Sequence, residues 1–205
     1  TTGSVVLLPG ADHDPDGPNR HRLRSCGLPI PGVSVRVVDT TTGEDVPTRE
    51  VGEIWVKGPQ VMQGYWNMPE ETAKSIVEGG WFRTGDQGFL DGDGYVFITG
   101  RLKEMINRGG ENIAPREVDE VLLAHPGVAQ AVTFAVPHAT LGEDVATAVI
   151  LQPGAGISGR ELRRFAFDRL ADFMVPTQIL IVDEIPKGPT GKLQRIGLAE
   201  ALFQQ

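Results

Sequence analysis

Sixteen of the 26 glycines and eight of the 15 prolines in this chain fall in residues 1–101. Proline removes a backbone donor and glycine weakens regular elements, so the first half must be built from short strands and many turns. Residues 102–205 carry fewer such breaks and longer periodic stretches, which suit helices and longer strands. A chain of 205 residues has room for one or two modules and can form a core without a metal or a disulfide. Both halves share the formal net charge of −8, from 19 basic and 27 acidic residues. That balance argues against a general nucleic-acid binder or a binder of anionic membranes, each of which needs a basic face. No apolar run approaches the roughly 18–20 residues of a membrane span. The single cysteine, Cys26, gives no internal disulfide framework, and the start TTGSVVLLPG has no basic region or cleavage pattern. A cytoplasmic chain without a signal peptide is therefore expected.

Periodicity gives a coarse α+β order. Residues 33–37 alternate and are β-branched, which predicts a half-buried strand. A turn at 40–43 and a strand around 53–56 follow. Pro69 suits the first position of a helix reaching about Val77, with Gly79 and Gly80 ending it. Strands at 88–90 and 95–99 flank Asp91-Gly92-Asp93-Gly94, a hairpin signal. The polar, turn-rich stretch 10–22 reads as a mobile loop. In the second half, 115–124 is a predicted helix with Val118, Val121 and Leu122 on one face. Strands are expected at 128–136, 145–151 and 179–182. Ser158 and Glu161 form a capping box that opens a helix carrying Leu162, Phe165 and Leu170. A short helix at 197–203 closes the chain. Phe165, Phe167 and Phe173 are expected in the core. The four histidines, His13, His21, His125 and His138, lack ligand spacing, so no metal site is expected. The module boundary falls at 100–103, dividing 1–101 from 102–205.

Three segments carry chemistry. Trp81-Phe82-Arg83-Thr84-Gly85-Asp86 places one carboxylate after an aromatic pair and a tight turn, where it can accept from two vicinal hydroxyls at once. Gly100-Arg101-Leu102-Lys103-Glu104 offers a planar guanidinium suited to sugar or phosphate oxygens. The following Gly109-Gly110 lets another chain approach the backbone closely. Pro186-Lys187-Gly188-Pro189-Thr190-Gly191-Lys192 carries a lysine on a Gly/Pro/Thr loop, able to meet developing negative charge. Taken singly, these segments also read as a capped turn, a linker and a solvated lysine.

The ordered set FRTGD, GRLKEMINRGGENIAPREVDEVL, LADFMVP and PKGPTGKLQR resembles the adenylate-forming superfamily, which contains acyl-CoA synthetases, nonribosomal adenylation domains and luciferases. The GGENI segment and residues 118–127 are most similar to the acyl-CoA synthetase branch of fatty-acid–CoA ligases, over essentially the whole chain. The resemblance implies a β-rich, distorted barrel-like part of a large adenylating domain at 1–101 and a mobile α+β lid at 102–205. It implies that Asp86 binds the ribose hydroxyls of ATP and that Arg101 adds a contact to the same ribose. Lys103 matches the hinge about which the lid changes orientation. Lys192 matches the catalytic lysine between substrate carboxylate and α-phosphate, and Gly109 and Gly110 match the pantetheine channel. ATP with Mg2+, a carboxylic acid of the fatty type and coenzyme A are the implied cofactor and substrates.

The chain departs from the family pattern in lacking the Ser/Thr/Gly-rich phosphate loop and the aromatic-Gly-x-Thr-Glu segment that holds adenine and magnesium. The expectation is a C-terminal portion that is inactive alone. Two rivals are an adenylation domain that loads a carrier protein and a non-catalytic binding module.

Overall fold

The computed structural model describes residues 2–187 and 193–203. The chain divides into two compact units, Thr1–Leu102 and Lys103–Gln205. Among the described residues no helix is long and apolar enough to cross a membrane.

The first unit is mostly sheet. A two-stranded antiparallel pair joins β1 (Val6–Leu7) to β2 (Leu28–Pro29). A five-stranded sheet contains β3 (Ser34–Val38), β4 (Gly52–Lys57), β5 (Ile76–Val77), β6 (Trp81–Leu90) and β7 (Val96–Arg101). Its order is β3-β4-β6-β5, with β7 also on β6. Among the described residues the unit is the expected β-rich module, its strands forming an antiparallel sheet that does not close into a barrel. Its core gathers Ile54, Val56 and Val96, with Val33, Val35 and Leu90 packed against them.

Two details differ from the periodicity. Helix α1 (Pro69–Ser75) stops before Val77, because the β-branched Ile76 and Val77 pair with Phe82 and Trp81 as a short strand. The stretch 10–22 is pinned rather than loose at two of its residues. Asp12, only 9% exposed, accepts hydrogen bonds from Arg22 Nη1 at 2.9 Å and from Tyr95 Oη. Arg22 also reaches Asp93 at 2.7 Å and lies 4.4 Å from the centroid of the Tyr95 ring. Polar composition suggested solvent, but these charges are satisfied by residues some seventy to eighty positions away, which local composition cannot show.

The second unit is a sheet covered on both faces. The short strands β8 (Ile106–Arg108) and β9 (Glu111–Ile113) form a hairpin. Helix α2 (Pro115–Leu123) follows, then the long antiparallel pair β10 (Val128–His138) and β11 (Gly142–Leu151). Helix α3 (Gly159–Phe167) leads to β12 (Gln178–Ile181), which runs parallel to β11, and α4 (Leu198–Phe203) ends the described chain. Alternation along β10 divides the core. Val128, Ala131 and Ala135 join Val118, Leu122 and Leu162. Val132, Phe134 and Val136 join Ile185 and Leu198. A strand buried on both faces reads as a nearly continuous apolar run, which is what 128–136 shows.

The capping box at α3 forms as expected, with Glu161 N donating to Ser158 Oγ at 3.3 Å and Ser158 N donating to Glu161 Oε2 at 2.8 Å. Phe173 packs against the core. Phe167, however, is 57% exposed. Phe165, two positions earlier, is half-buried, edge-on to His125 and covered by Arg169 rather than packed in the core.

Candidate functional site

The Thr-Gly-Asp segment forms a bulge inside β6 rather than a turn between elements. Trp55 pairs with Arg83 and Glu53 with Gln87, so Thr84, Gly85 and Asp86 together oppose the single residue Ile54. A bulge leaves backbone groups without ladder partners, and side chains supply them. Thr84 Oγ1 donates to Ile54 O at 2.7 Å and accepts from Asp86 N at 3.0 Å. Gly85, at φ +72°, donates its amide to Glu53 Oε1 at 3.1 Å. This left-handed conformation is the one that glycine adopts without a Cβ clash.

Asp86 emerges from that bulge opposite Arg101 in the β6–β7 register. Arg101 Nε lies 2.8 Å from Asp86 Oδ1, with the Asp86 side chain about a quarter exposed and that of Arg101 63% exposed. The structure therefore brings these two expected site residues together where the end of β7 meets the bulge of β6, within reach of solvent.

The remaining described candidates belong to the second unit. Lys103 is its first residue, exposed in a 3-10 turn, Leu102–Glu104. Gly109 and Gly110, at φ +63° and +99°, form the two-residue turn of the β8–β9 hairpin. Gly110 N donates to Asn107 Oδ1 at 3.1 Å. What reads in sequence as a linker glycine pair is thus a tight hairpin end. Lys192 lies outside the described residues.

Sequence reasoning assigned no role to two residues that organise these segments. One is Glu53, a buried carboxylate in the Gly-Glu-Ile-Trp-Val run of β4. Its signal was an acidic residue inside an otherwise apolar strand. The other is Arg195, three positions beyond Lys192 in the GKLQR segment. Its guanidinium reaches Glu104 Oε2 at 3.0 Å, Asp119 Oδ2 at 2.7 Å and Thr133 O at 2.9 Å. It thereby ties the residue after Lys103 to α2 and β10. Asp119 also accepts from Thr133 N at 2.6 Å. Burial pushes the Asp119 carboxyl above its ordinary value, against the opposing pull of Arg195 and of the Thr133 donors.

Among the described residues, no three His, Cys, Asp or Glu side chains gather as a metal site. The Asp86 carboxylate is already engaged by a guanidinium, so these residues do not fit as a magnesium cage.

Two family models match the chain: "AMP-binding enzyme" over residues 1–66 and "AMP-binding enzyme C-terminal domain" over residues 117–192. The sulfoacetate–CoA ligase of Cupriavidus necator is 39% identical over 198 residues, covering 97% of this chain and 38% of that protein. The fatty acid–[acyl-carrier-protein] ligase ScoC of Streptomyces coeruleorubidus is 40% identical over 203 residues, covering 99% of this chain and 38% of that protein. Among solved structures, the o-succinylbenzoate CoA synthetase MenE of Bacillus subtilis in complex with an acyl-adenylate intermediate superposes with a TM-score of 0.83 at 32% identity. That match covers 96% of this chain and 38% of the other. The chain spans well under half the length of the curated relatives it matches.

Proposed function

Because this chain belongs to the AMP-binding, adenylate-forming enzyme family, we propose that it forms the C-terminal part of an ATP-dependent acid–thiol ligase, an acyl-CoA synthetase. The single observation that carries this reading is the Asp86 carboxylate, set on a braced bulge beside Arg101 and open to solvent. An acceptor-only group with one oxygen engaged by Arg101 keeps lone pairs for a pair of ribose hydroxyls. Arg101 supplies donors to the same sugar.

In the proposed reaction, a substrate carboxylate oxygen attacks the α-phosphorus of ATP. The new C–O–P linkage gives acyl-AMP, and the bond to pyrophosphate breaks. The coenzyme A thiol then attacks the acyl carbon, a C–S bond forms, and AMP leaves with the electron pair while the thiol proton is lost to solvent. The first step brings two anions together, so a positioned lysine lowers its electrostatic barrier. Lys192 takes that role, and the Gly109–Gly110 turn lines the thioester channel. Residues 1–101 belong to the large adenylating domain and 102–205 to a lid that pivots at Lys103, so that the two devices act in turn. Magnesium would enter with ATP. The acyl group is of the fatty type, with sulfoacetate ligation by a relative marking how widely the family's acids range.

The test separates the half-reactions in the full-length protein. Lys192→Ala is expected to lower ATP–pyrophosphate exchange by about 100-fold or more, the scale of losing one preorganised charge at a transition state. Thioester formation from supplied acyl-AMP should be largely retained. Equal losses in both would refute the two-orientation account. The 205-residue chain by itself is expected to give no exchange, because it carries none of the family's phosphate loop. A second reading, acyl transfer to a carrier protein, is favoured by the 40% identity to a carrier-protein ligase. Offering coenzyme A and an acyl-carrier protein in parallel to the preformed acyl-AMP complex decides between them.

A further inference from the structure

We infer that Glu53 is a positioning residue that sets the direction of the Asp86 carboxylate through the Gly85 amide. The inference rests on the reading of Asp86 as the ribose ligand.

Glu53 is 2% exposed, yet its two oxygens hold four donor contacts. Oε2 collects Trp55 Nε1 at 2.9 Å, Arg83 Nε at 3.1 Å and Arg83 Nη2 at 3.0 Å. Oε1 holds Gly85 N at 3.1 Å. Removing a carboxylate from water is costly, and an apolar residue would pack at this strand position without that cost. The bulge explains what the carboxylate does there. Three residues of β6 oppose one residue of β4, so the ladder can serve only part of their backbone. The carbonyl of Ile54 accepts from Thr84 Oγ1, and the same hydroxyl accepts from Asp86 N. The Gly85 amide is served by Glu53. Two side-chain anchors therefore flank the peptide that aims Asp86, one from Thr84 and one from Glu53. Arg83, paired to the same carboxylate and 5.7 Å from the Trp55 ring centroid, keeps Oε2 occupied and fixes the rotamer of Glu53. Without Glu53 the Gly85 amide has no acceptor in the bulge, and the glycine's freedom lets the Asp86 carboxylate swing off line.

The test is ribose discrimination, which a purely structural role would not move. Dissociation constants for ATP and for 2′,3′-dideoxy-ATP are measured on the full-length protein and its Glu53→Met variant, which leaves the Gly85 amide without that acceptor. The wild type should prefer ATP. The variant should lose about ten-fold of that preference, the scale of one hydrogen bond to a charged group, with 2′,3′-dideoxy-ATP bound as before. An unchanged preference, or equal weakening for both nucleotides, overturns the inference. No preference in the wild type removes the ribose reading of Asp86 itself, and the inference with it. If Glu53→Met does not fold, Glu53→Met/Arg83→Met leaves no stranded guanidinium and reads the same ratio. Independently of any variant, the Gly85 amide of the wild type should exchange slowly with deuterium, and exchange at open-coil rates overturns the proposal.

Discussion

Asp86 and Arg101 occupy directly opposed positions on β6 and β7 and are joined by a 2.8 Å contact from Arg101 Nε to Asp86 Oδ1. The pair is reached by solvent, and such ion pairs contribute only about 0–1 kcal/mol to stability. Its value is therefore in orientation. Asp86→Asn should leave the melting temperature nearly unchanged. In the full-length protein it should weaken ATP binding by about ten- to a hundred-fold, since bonds to a charged acceptor contribute roughly 1.5–3 kcal/mol each. Calorimetric titration alongside thermal melts checks both halves. A large loss of stability with normal ATP binding would reverse the assignment.

Arg195 and Asp119 show the opposite balance, with side chains only 19% and 8% exposed. Arg195→Met strands a buried carboxylate, which typically costs about 3–5 kcal/mol. Urea unfolding of the 205-residue chain should show it as a lower midpoint. The pH dependence has a defined sign. Burial raises the folded Asp119 value above its ordinary 3.8, so the folded state binds the proton more tightly than the unfolded state. Stability from this group is fully present below 3.8 and is lost as pH rises through the folded value. Without Arg195 the carboxyl loses an opposing pull, so the deficit seen at neutral pH should shrink on acidification. A deficit independent of pH would mean that packing, not charge, is what Arg195 supplies.

The clasp between Asp12 and Tyr95 gives two titrations of opposite sign. Hydrogen bonds from Tyr95 and then Arg22 hold the Asp12 carboxyl below its ordinary 3.8, so its contribution is present above 3.8 and lost as pH falls through the folded value. The Asp12 acceptor and then burial push the Tyr95 phenol above 10.0, so its contribution is present below 10.0 and lost as pH rises through the folded value. With Tyr65→Phe as background, Tyr95 is the only tyrosine. Its ultraviolet titration should have a midpoint above 10.0, and Asp12→Asn should lower that midpoint. No response to Asp12→Asn would break the proposed link.

The two glycines of the β8–β9 turn should respond differently to substitution. Gly109 has φ +63°, within the left-handed region that asparagine tolerates, and a Cβ there meets only the flexible end of Leu141 at 3.0 Å. Gly109→Asn should be near neutral, because fewer unfolded conformations offset the contact. Gly110 has open space but φ +99°, outside the usual L-residue range. Gly110→Ala should destabilise by about 1–2 kcal/mol. Denaturant melts of both variants provide the comparison, and a larger loss at Gly109 than at Gly110 would show that crowding rather than backbone angle governs this turn.

Much of the architecture was legible in local pattern. The alternation of Ser34–Val38 and the apolar run within Val128–His138 mark strands, because a strand's burial repeats every two residues or covers both faces. Ser158 and Glu161 mark a helix start because a capping box is wholly local. Misreadings arose where a distant partner overrode a local cue. Ile76 and Val77 left the helix for Phe82 and Trp81. Asp12 found Tyr95 and Arg22 instead of water. Phe167 faces outward although its composition suggested core.

The candidate site divides along the same line. Sequence by itself determined the residue types and their order: an acceptor-only carboxylate in Thr-Gly-Asp, a guanidinium after Gly100, a paired glycine and a loop lysine. Chemistry depends on side-chain identity, and identity is what a sequence records. Only the tertiary structure decided that Thr84–Gly85–Asp86 is a bulge, that Asp86 faces Arg101, and that Glu53 and Arg195 serve as anchors. Those facts depend on which strand lies beside which and in what register. Glu53 is 32 residues from the amide it holds, and Arg195 is 91 from Glu104. A buried charge is stable only where partners converge on it, and that convergence exists only once the chain has folded.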